Sequence, residues 1–120
     1  MRITGSGLLL RIFVGEGDRH DGRPLYEALV LKAREMGMAG ATVVRGAEGF
    51  GAHSRLHTAK VLRLSEDLPM VVEMVDREER IRAFLPVCDA MVRDGLVTLE
   101  PIEIVRYSAE PPAGSSGPAR

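Results

Sequence analysis

The residues of this sequence that could bind an anion are concentrated in segment 43–69, VVRGAEGFGAHSRLHTAKVLRLSEDLP. Gly46, Gly49 and Gly51 would let backbone N–H groups approach an anion without side-chain obstruction. Arg45 and Arg55 add guanidinium groups, which bind phosphate through paired hydrogen bonds. The sequence contains neither the Walker pattern nor the GxGxxG pattern. The composition therefore leaves two interpretations open, a phosphate-binding loop and a solvated loop.

Two histidines of the same segment could bind a metal ion. His53 and His57 are four residues apart, a spacing that would present both imidazoles to one ion on a helix. The neighbouring glycines argue against a regular helix, and no third ligand lies nearby in the sequence. We therefore expect no metal site, and a metal-binding trimer that uses these histidines stays an alternative.

The remaining candidates for catalysis are isolated titratable groups. Glu73 lies in an apolar strand and needs a partner, for which we favour an arginine over a role in a site. Asp18, His20 and Asp21 share a glycine-containing loop that we interpret as a solvated turn, and Cys88 belongs to an apolar helical stripe. No nucleophile–base pair is indicated, so we expect no catalytic residue and no enzyme. A small enzyme that uses Glu73 and a loop histidine between subunits stays a second alternative.

Length and composition restrict the function classes. The chain has 120 residues, enough for one domain, and a net charge of −1. Nucleic-acid-binding proteins usually have a strongly basic face, so we expect no nucleic-acid partner. The single cysteine suits a reducing compartment. Since no apolar run approaches 18 residues, we expect a cytoplasmic protein without membrane insertion.

The first half of the chain predicts a βαβ unit. Residues 8–14 are apolar on both alternating faces, as in a strand that is covered on both sides. Residues 15–23 are interpreted as a loop. A helix follows from Pro24, which suits a first helical turn, to Gly37 at its C-terminus. Residues 41–45 form the second strand.

The second half predicts another βαβ unit. Residues 70–75 form a strand, and Asp76 is the predicted N-cap of a helix, with Glu79 completing a capping box. An apolar stripe at helical spacing continues until Gly95 ends the helix. Two βαβ units of this kind predict an α+β, ferredoxin-like βαββαβ sandwich, with two helices on one face of a four-stranded antiparallel sheet.

Two prolines and the C-terminus complete the prediction. Pro86 lies inside the second helix, where we expect a bend. The last strand covers residues 97–107, and Pro101 marks a bulge or an edge position. Residues 1–107 are therefore predicted to form the domain. Residues 108–120, rich in Pro, Gly and Ser, are predicted to form a disordered tail.

The connection between the second and third strands, residues 47–68, is the irregular part of this fold, and we call it the excursion. Connections beyond about 12–15 residues are usually functional or disordered. Apolar residues on both faces of three strands further predict that the sheet face without helices is covered, most economically by another copy of the chain.

Three phrases carry a family resemblance: RPLYEALVLKAREMGMAGATVVRGAEGFG, SRLHTAKVLRLSEDLPMVVEMVD and GLVTLEPIEIVRY. They resemble the PII-like family called domain of unknown function 190, related to the nitrogen-regulatory PII signal proteins. The resemblance runs from about residue 8 to residue 107. It implies a ferredoxin-like homotrimer with clefts between subunits, in which the excursion corresponds to the T-loop that engages partner proteins.

The resemblance also implies a ligand site. In PII proteins the base of the T-loop helps to bind ATP or ADP, and Gly49-Phe50-Gly51 is similar to the GFG sequence found there. The residues implied or suggested for ligand binding are Arg45, Gly46, Gly49, Phe50, Gly51, Arg55 and Arg106. The residues suggested for a partner-binding loop are His53, Ser54 and His57. The chain departs from the PII pattern in having only RDGLVT where a glycine-rich phosphate loop is expected, and no tyrosine in residues 46–68.

These observations predict a cytoplasmic signalling protein. A small anionic effector, an adenine nucleotide such as AMP, ADP or ATP, would bind in the clefts between subunits, and no cofactor would be required. The effector would order or release a flexible loop and so change its fit to a partner protein. The family resemblance suggests a membrane channel or transporter as that partner.

Overall fold

The structure is a computed structural model that describes residues 1–47, 49 and 68–109 of the chain. The elements in this part of the chain are β1 (Arg2–Gly15), β2 (Arg19–His20), β3 (Arg23–Pro24), α1 (Leu25–Glu35), β4 (Thr42–Arg45), β5 (Pro69–Asp76), α2 (Glu78–Met91) and β6 (Leu96–Ser108).

The long strands form one antiparallel sheet in the order β4-β5-β1-β6. Helices α1 and α2 cover one face of it. Two βαβ units with an antiparallel pairing between their inner strands produce this order, so the predicted ferredoxin-like sandwich is confirmed. The face without helices, which we call the open face, carries the alternate residues of each strand.

The core lies between the sheet and the two helices. Strand residues alternate between the two faces, and the buried positions of β1 and β5 face the helices. The buried core residues of these strands are Leu8, Leu10, Ile12, Val14, Met70, Val72 and Met74, and those of the helices are Leu25, Leu29, Ala33, Ile81, Phe84 and Cys88. Full burial of a large apolar side chain contributes about 1.5–3 kcal/mol.

Strand β1 begins at Arg2, six residues before the predicted start. Its N-terminal part pairs with β6 and places Ile3 opposite Tyr107. Gly7 suits this pairing because a Cβ atom there would lie 2.6 Å from the Cδ1 atom of Ile104. The glycine-rich start of the chain was therefore wrongly excluded from the strand, since its partner is about one hundred residues away in sequence.

The predicted loop 15–23 is partly wrong, because it contains the hairpin of β2 and β3. Asp21 and Gly22 connect the two strands with φ angles of 50° and 83°. Positive φ at both central residues suits a two-residue hairpin turn with the right-handed twist of its strands, and Asp-Gly is a favoured pair for it.

Both ends of α1 agree with the sequence prediction. The helix starts directly after Pro24, and Met36 is its C-cap. Gly37 follows with φ 77° and donates its N–H to the carbonyl oxygen of Arg34. A left-handed glycine after the C-cap is the usual way to satisfy the last carbonyl groups of a helix.

The predicted capping role of Asp76 is wrong. Helix α2 starts at Glu78, its N-cap residue is Arg77, and no side chain caps it. Asp76 instead ends β5 and is 1% exposed. Its carboxylate accepts hydrogen bonds from the backbone N–H groups of Ala39 (2.9 Å) and Arg77 (2.7 Å). The pairing of Asp76 with Leu8 turns the side chain inward, towards the loop that follows α1.

Pro86 lies inside α2, as predicted, and the bend expected there stays a prediction. The helix ends at Met91, before Gly95. Pro101 lies in β6, an edge strand, which confirms its predicted edge position. Strand β6 continues to Ser108, the first residue of the predicted tail, and residues 110–120 lie outside the described part of the chain.

Candidate ligand-binding site

The two ends of the excursion are joined beside the end of β1. The backbone N–H of Gly46 donates to the carbonyl oxygen of Pro69, and that of Glu16 donates to the carbonyl oxygen of Leu68, both across 2.8 Å. Arg45, the last residue of β4, directly precedes this junction. We call residues 16, 45, 46, 68 and 69 the excursion base.

The glycines at the start of the excursion have a packing role. A Cβ atom on Gly46 would lie 3.2 Å from the carbonyl oxygen of Pro69. A Cβ atom on Gly49 would lie 3.0 Å from the Cγ atom of Pro69. Gly49 also has φ 151°, a conformation that L side chains rarely adopt. Close contact with Pro69 therefore favours glycine at both positions, independently of any ligand.

Arg45 has a partner that the sequence analysis did not identify. Its Nη2 atom contacts the Oε2 atom of Glu16. The side chain of Glu16 is 18% exposed, whereas that of Arg45 is 50% exposed. The sequence shows only that an acidic residue, Glu16, follows the first strand directly. The pairing of Gly15 with Pro69 places Glu16 beside the end of the excursion, and no local pattern in the sequence reveals this pairing.

A cavity of about 320 Å³ lies at the other end of the open face. Its walls come from all four strands of the sheet and from the loop after α1. The polar side chains that line it are Thr42, Glu73, Arg106 and Tyr107, together with the backbone of Ala39 and Gly40. Leu9, Val75, Ile3 and Ile104 form the apolar walls.

Arg106 is the cationic side chain of this cavity. Among the residues that the structure describes, it forms no ion pair. Arg45 does not line the cavity, because it lies three residues beyond Thr42, about 10 Å further along β4. One protomer therefore does not bring Arg45 and Arg106, the two described arginines of the predicted site, into one cavity.

Glu73 has the arginine partner that the sequence predicts. The Nε atom of Arg11 lies 2.8 Å from Oε2 of Glu73, and its Nη1 atom lies 3.3 Å from Oε1 of Glu100. The hydrogen bond that Arg11 donates to Glu73, with the charges of both carboxylates, raises the pKa of Arg11 above its usual value. This pair supports the structural interpretation of Glu73 over the catalytic one.

A larger cavity, about 660 Å³, lies on the opposite side between α1, α2 and the β2–β3 hairpin. Its floor contains Ala28 and Val87, and its rim mixes acidic and basic side chains such as Asp21, Lys32 and Glu35. Two of its basic side chains already face carboxylates, His20 beside Asp21 and Lys32 beside Glu35, so this cavity is a weaker candidate for an anion site than the cavity around Arg106.

The other predicted site residues lie outside the described part of the chain: Phe50, Gly51, His53, Ser54, Arg55 and His57. Within residues 1–47, 49 and 68–109, no three His, Cys, Asp or Glu side chains are grouped as metal ligands would be. The same residues form no helix that is both long and apolar enough to cross a membrane.

Comparison with known proteins identifies the family. The model of domain of unknown function 190, described as "Uncharacterized ACR", matches residues 7–104. The chain belongs to this family. A UPF0166 protein of Aquifex aeolicus (strain VF5) is 40% identical over 97 residues, which cover 81% of this chain and 91% of the relative. A UPF0166 protein of Methanocaldococcus jannaschii is 33% identical over 92 residues, covering 76% and 84%.

Solved structures share the fold of this family member. CPII, a nitrogen regulatory PII-like protein from Thiomonas intermedia K12, has been solved bound to ADP, AMP and bicarbonate. It superposes with a TM-score of 0.55 at 18% identity over 87% of this chain and 91% of CPII. A second CPII structure, bound to ADP and bicarbonate, has a TM-score of 0.51 at 19% identity over the same shares. The similarity confirms a PII-like fold.

Proposed function

We propose that this chain is a regulatory protein that binds an adenine nucleotide in clefts between its subunits and acts on a partner protein through the excursion. The observation that carries the proposal is the shared fold with CPII, which holds ADP and AMP. The Arg106 cavity supports it, because this cavity offers apolar walls beside a guanidinium that forms no ion pair with any residue that the structure describes.

The open face supports assembly of several copies. Val44, Val75 and Leu96 on this face are 47%, 41% and 55% exposed, and the half-buried Leu9 and Phe13 lie between them. These apolar side chains lie on both sides of the ion pair between Arg11 and Glu73, and exposed apolar residues grouped on an uncovered sheet face usually mark an interface. We propose a second copy of the chain as its occupant, in a closed ring of three.

Assembly would complete the nucleotide site. The cavity of one protomer supplies Arg106 and the apolar walls of Leu9 and Val75, which suit a nucleobase and one phosphate. The excursion base of the neighbouring protomer would supply Arg45 to the same ligand. A phosphate chain between two guanidinium groups is bound by charge-assisted hydrogen bonds, which are stronger than neutral ones.

The proposed role is that of a sensor rather than an enzyme. A nucleotide that contacts the excursion base binds one arrangement of the excursion better than another, and this difference in affinity shifts the equilibrium between them. The nucleotide leaves unchanged, and the partner protein recognises the arrangement. A membrane channel or transporter is the partner that we propose.

Calorimetric titration of the full chain with ADP tests this function. Arg106→Ala removes a charge-assisted contact and should weaken ADP binding roughly tenfold or more. Arg82→Ala is the matched control, because Arg82 is an exposed arginine paired with Glu78 on the outside of α2. Absence of ADP binding at millimolar concentration, or equal affinities for the two variants, would refute the proposed site.

A further inference from the structure

We propose that Glu16 is an internal competitor of the anionic ligand and sets the affinity of Arg45 for phosphate. The inference rests on the proposed function, because it concerns the regulation of the same site.

The geometry supports competition. The carboxylate of Glu16 already contacts the Nη2 atom of Arg45, which leaves fewer guanidinium N–H groups available to a ligand. A phosphate oxygen and a carboxylate oxygen seek the same donors. A ligand phosphate must therefore displace Glu16 or bind a guanidinium whose charge is partly neutralised.

Displacement of the Glu16 carboxylate from Arg45 would affect the end of the excursion, because of the contacts around Glu16. Its side chain is 18% exposed, and its own N–H donates to Leu68, where the excursion ends. A largely buried carboxylate that loses its cationic partner is destabilised, so it must move towards solvent. Because Glu16 is joined to Leu68 through the backbone, this movement acts on the end of the excursion.

The same contact explains how ligand state reaches the excursion. Without the ligand, the ion pair of Glu16 and Arg45 connects the end of β1 to the start of the excursion. The backbone hydrogen bond from Glu16 to Leu68 connects the end of β1 to the other end of the excursion. With the ligand bound to Arg45, the ion pair of Glu16 and Arg45 is broken. Each state has a different contact at the same residue, which is the requirement for a ligand-driven switch.

A double-mutant cycle tests the inference. ADP affinity is measured by calorimetry for the wild type, Glu16→Gln, Arg45→Ala and the double variant. We expect Glu16→Gln to tighten ADP binding by roughly 3- to 5-fold, the upper part of the range of a partly exposed ion pair. We expect the same substitution to change nothing in the Arg45→Ala background. Coupling between two residues is isolated by such a cycle.

Two further variants serve as controls. Glu35→Gln removes one negative charge from the exposed pair with Lys32 on α1, and it should leave ADP affinity within about twofold because surface charges are screened by salt. Glu16→Asp keeps the charge but shortens the side chain, so it should give an intermediate affinity. It keeps the test decisive if Glu16→Gln does not fold.

The cycle is repeated with inorganic pyrophosphate, which has no adenosine. Tighter pyrophosphate binding by Glu16→Gln with no binding of ADP would refute the nucleotide proposal and support the role of Glu16. Unchanged or weaker binding of both anions by Glu16→Gln, or an equal gain in the Arg45→Ala background, would overturn that role. If neither anion binds the wild type or Glu16→Gln, both proposals are overturned.

Discussion

The phenolic hydroxyl of Tyr107 donates a hydrogen bond to the carbonyl oxygen of Ala39 across 3.0 Å. It joins the end of β6 to the loop after α1, 68 residues away in the sequence. Both residues line the Arg106 cavity. This contact therefore fixes the position of the strand that carries the cavity's cationic side chain.

Tyr107→Phe should lower the free energy of unfolding by about 0.5–1.5 kcal/mol, the usual contribution of one hydrogen bond. It should also weaken ADP binding, because the cavity wall loses its support. Chemical denaturation and calorimetry measure the two effects. Tyr26→Phe on α1 is the matched control, since the Tyr26 hydroxyl makes no hydrogen bond among the described residues. Equal behaviour of the two variants would contradict the role of Tyr107.

Asp76→Ala should lower the free energy of unfolding by about 2–4 kcal/mol, because two backbone N–H groups lose a charged acceptor in a buried place. Asp76→Asn keeps one carbonyl oxygen and should cost less. Urea denaturation compares both with Asp89→Ala, an exposed position on α2 that should stay within about 0.5 kcal/mol of the wild type. A small effect of Asp76→Ala would show that water satisfies these groups.

Cys88 should be unreactive in the native protein. Burial raises the pKa of its thiol from 9.0 to about 11, with a smaller contribution from the charge of Asp89. The thiolate is the reactive form, so labelling with a thiol reagent at pH 8 should be slow until urea unfolds the chain. Rapid labelling of the folded protein would contradict the burial of this side chain.

The raised pKa of Cys88 also predicts a pH dependence of stability. Between pH 9 and 11 the folded thiol keeps its proton and the unfolded thiol loses it, so the free energy of unfolding falls as pH rises through this window. Below pH 9 the thiol contributes no slope. Cys88→Ala should lack this part of the decline. Identical slopes for the variant and the wild type would exclude the thiol as its cause.

The pair of Arg11 and Glu73 should be coupled more strongly than an exposed ion pair, because assembly of three copies would bury the open face on which both lie. Arg11→Met alone should weaken the oligomer by leaving two carboxylates without their cation, and the double variant with Glu73→Met should recover it. Light scattering over a dilution series measures the assembly. A monomeric wild type would contradict the covered open face.

The fold was accessible from the sequence because its strongest signals are local. Short runs that are apolar on both faces identified β1 and β5, and a stripe at helical spacing with Gly37 behind it identified α1. The features that the sequence did not reveal depend on distant partners. The pairing of Ile3 with Tyr107 and the bond from Ala39 to Asp76 are examples, because no local pattern specifies them.

The candidate site was only partly predictable for the same reason. Arg45 and Arg106 stood out by residue type, yet nothing in the sequence shows that the first contacts Glu16 or that the second lines a cavity. Gly46 and Gly49 were interpreted through a ligand, which stays a prediction, and their close approach to Pro69 was not visible in the sequence. Residue type indicates which interactions a side chain could make, and tertiary contacts decide which of these interactions remain available to a ligand.

Subunit mixing shows whether Arg45 and Arg106 bind one nucleotide from two protomers. Arg45→Ala and Arg106→Ala chains, each deficient in ADP binding alone, are unfolded together in equal amounts and refolded. Random assembly into rings of three places two intact arginines at about a quarter of the interfaces. Calorimetry of the mixture should therefore recover about a quarter of the wild-type number of high-affinity ADP sites. No recovery in a mixture shown to contain hybrid oligomers would contradict this prediction.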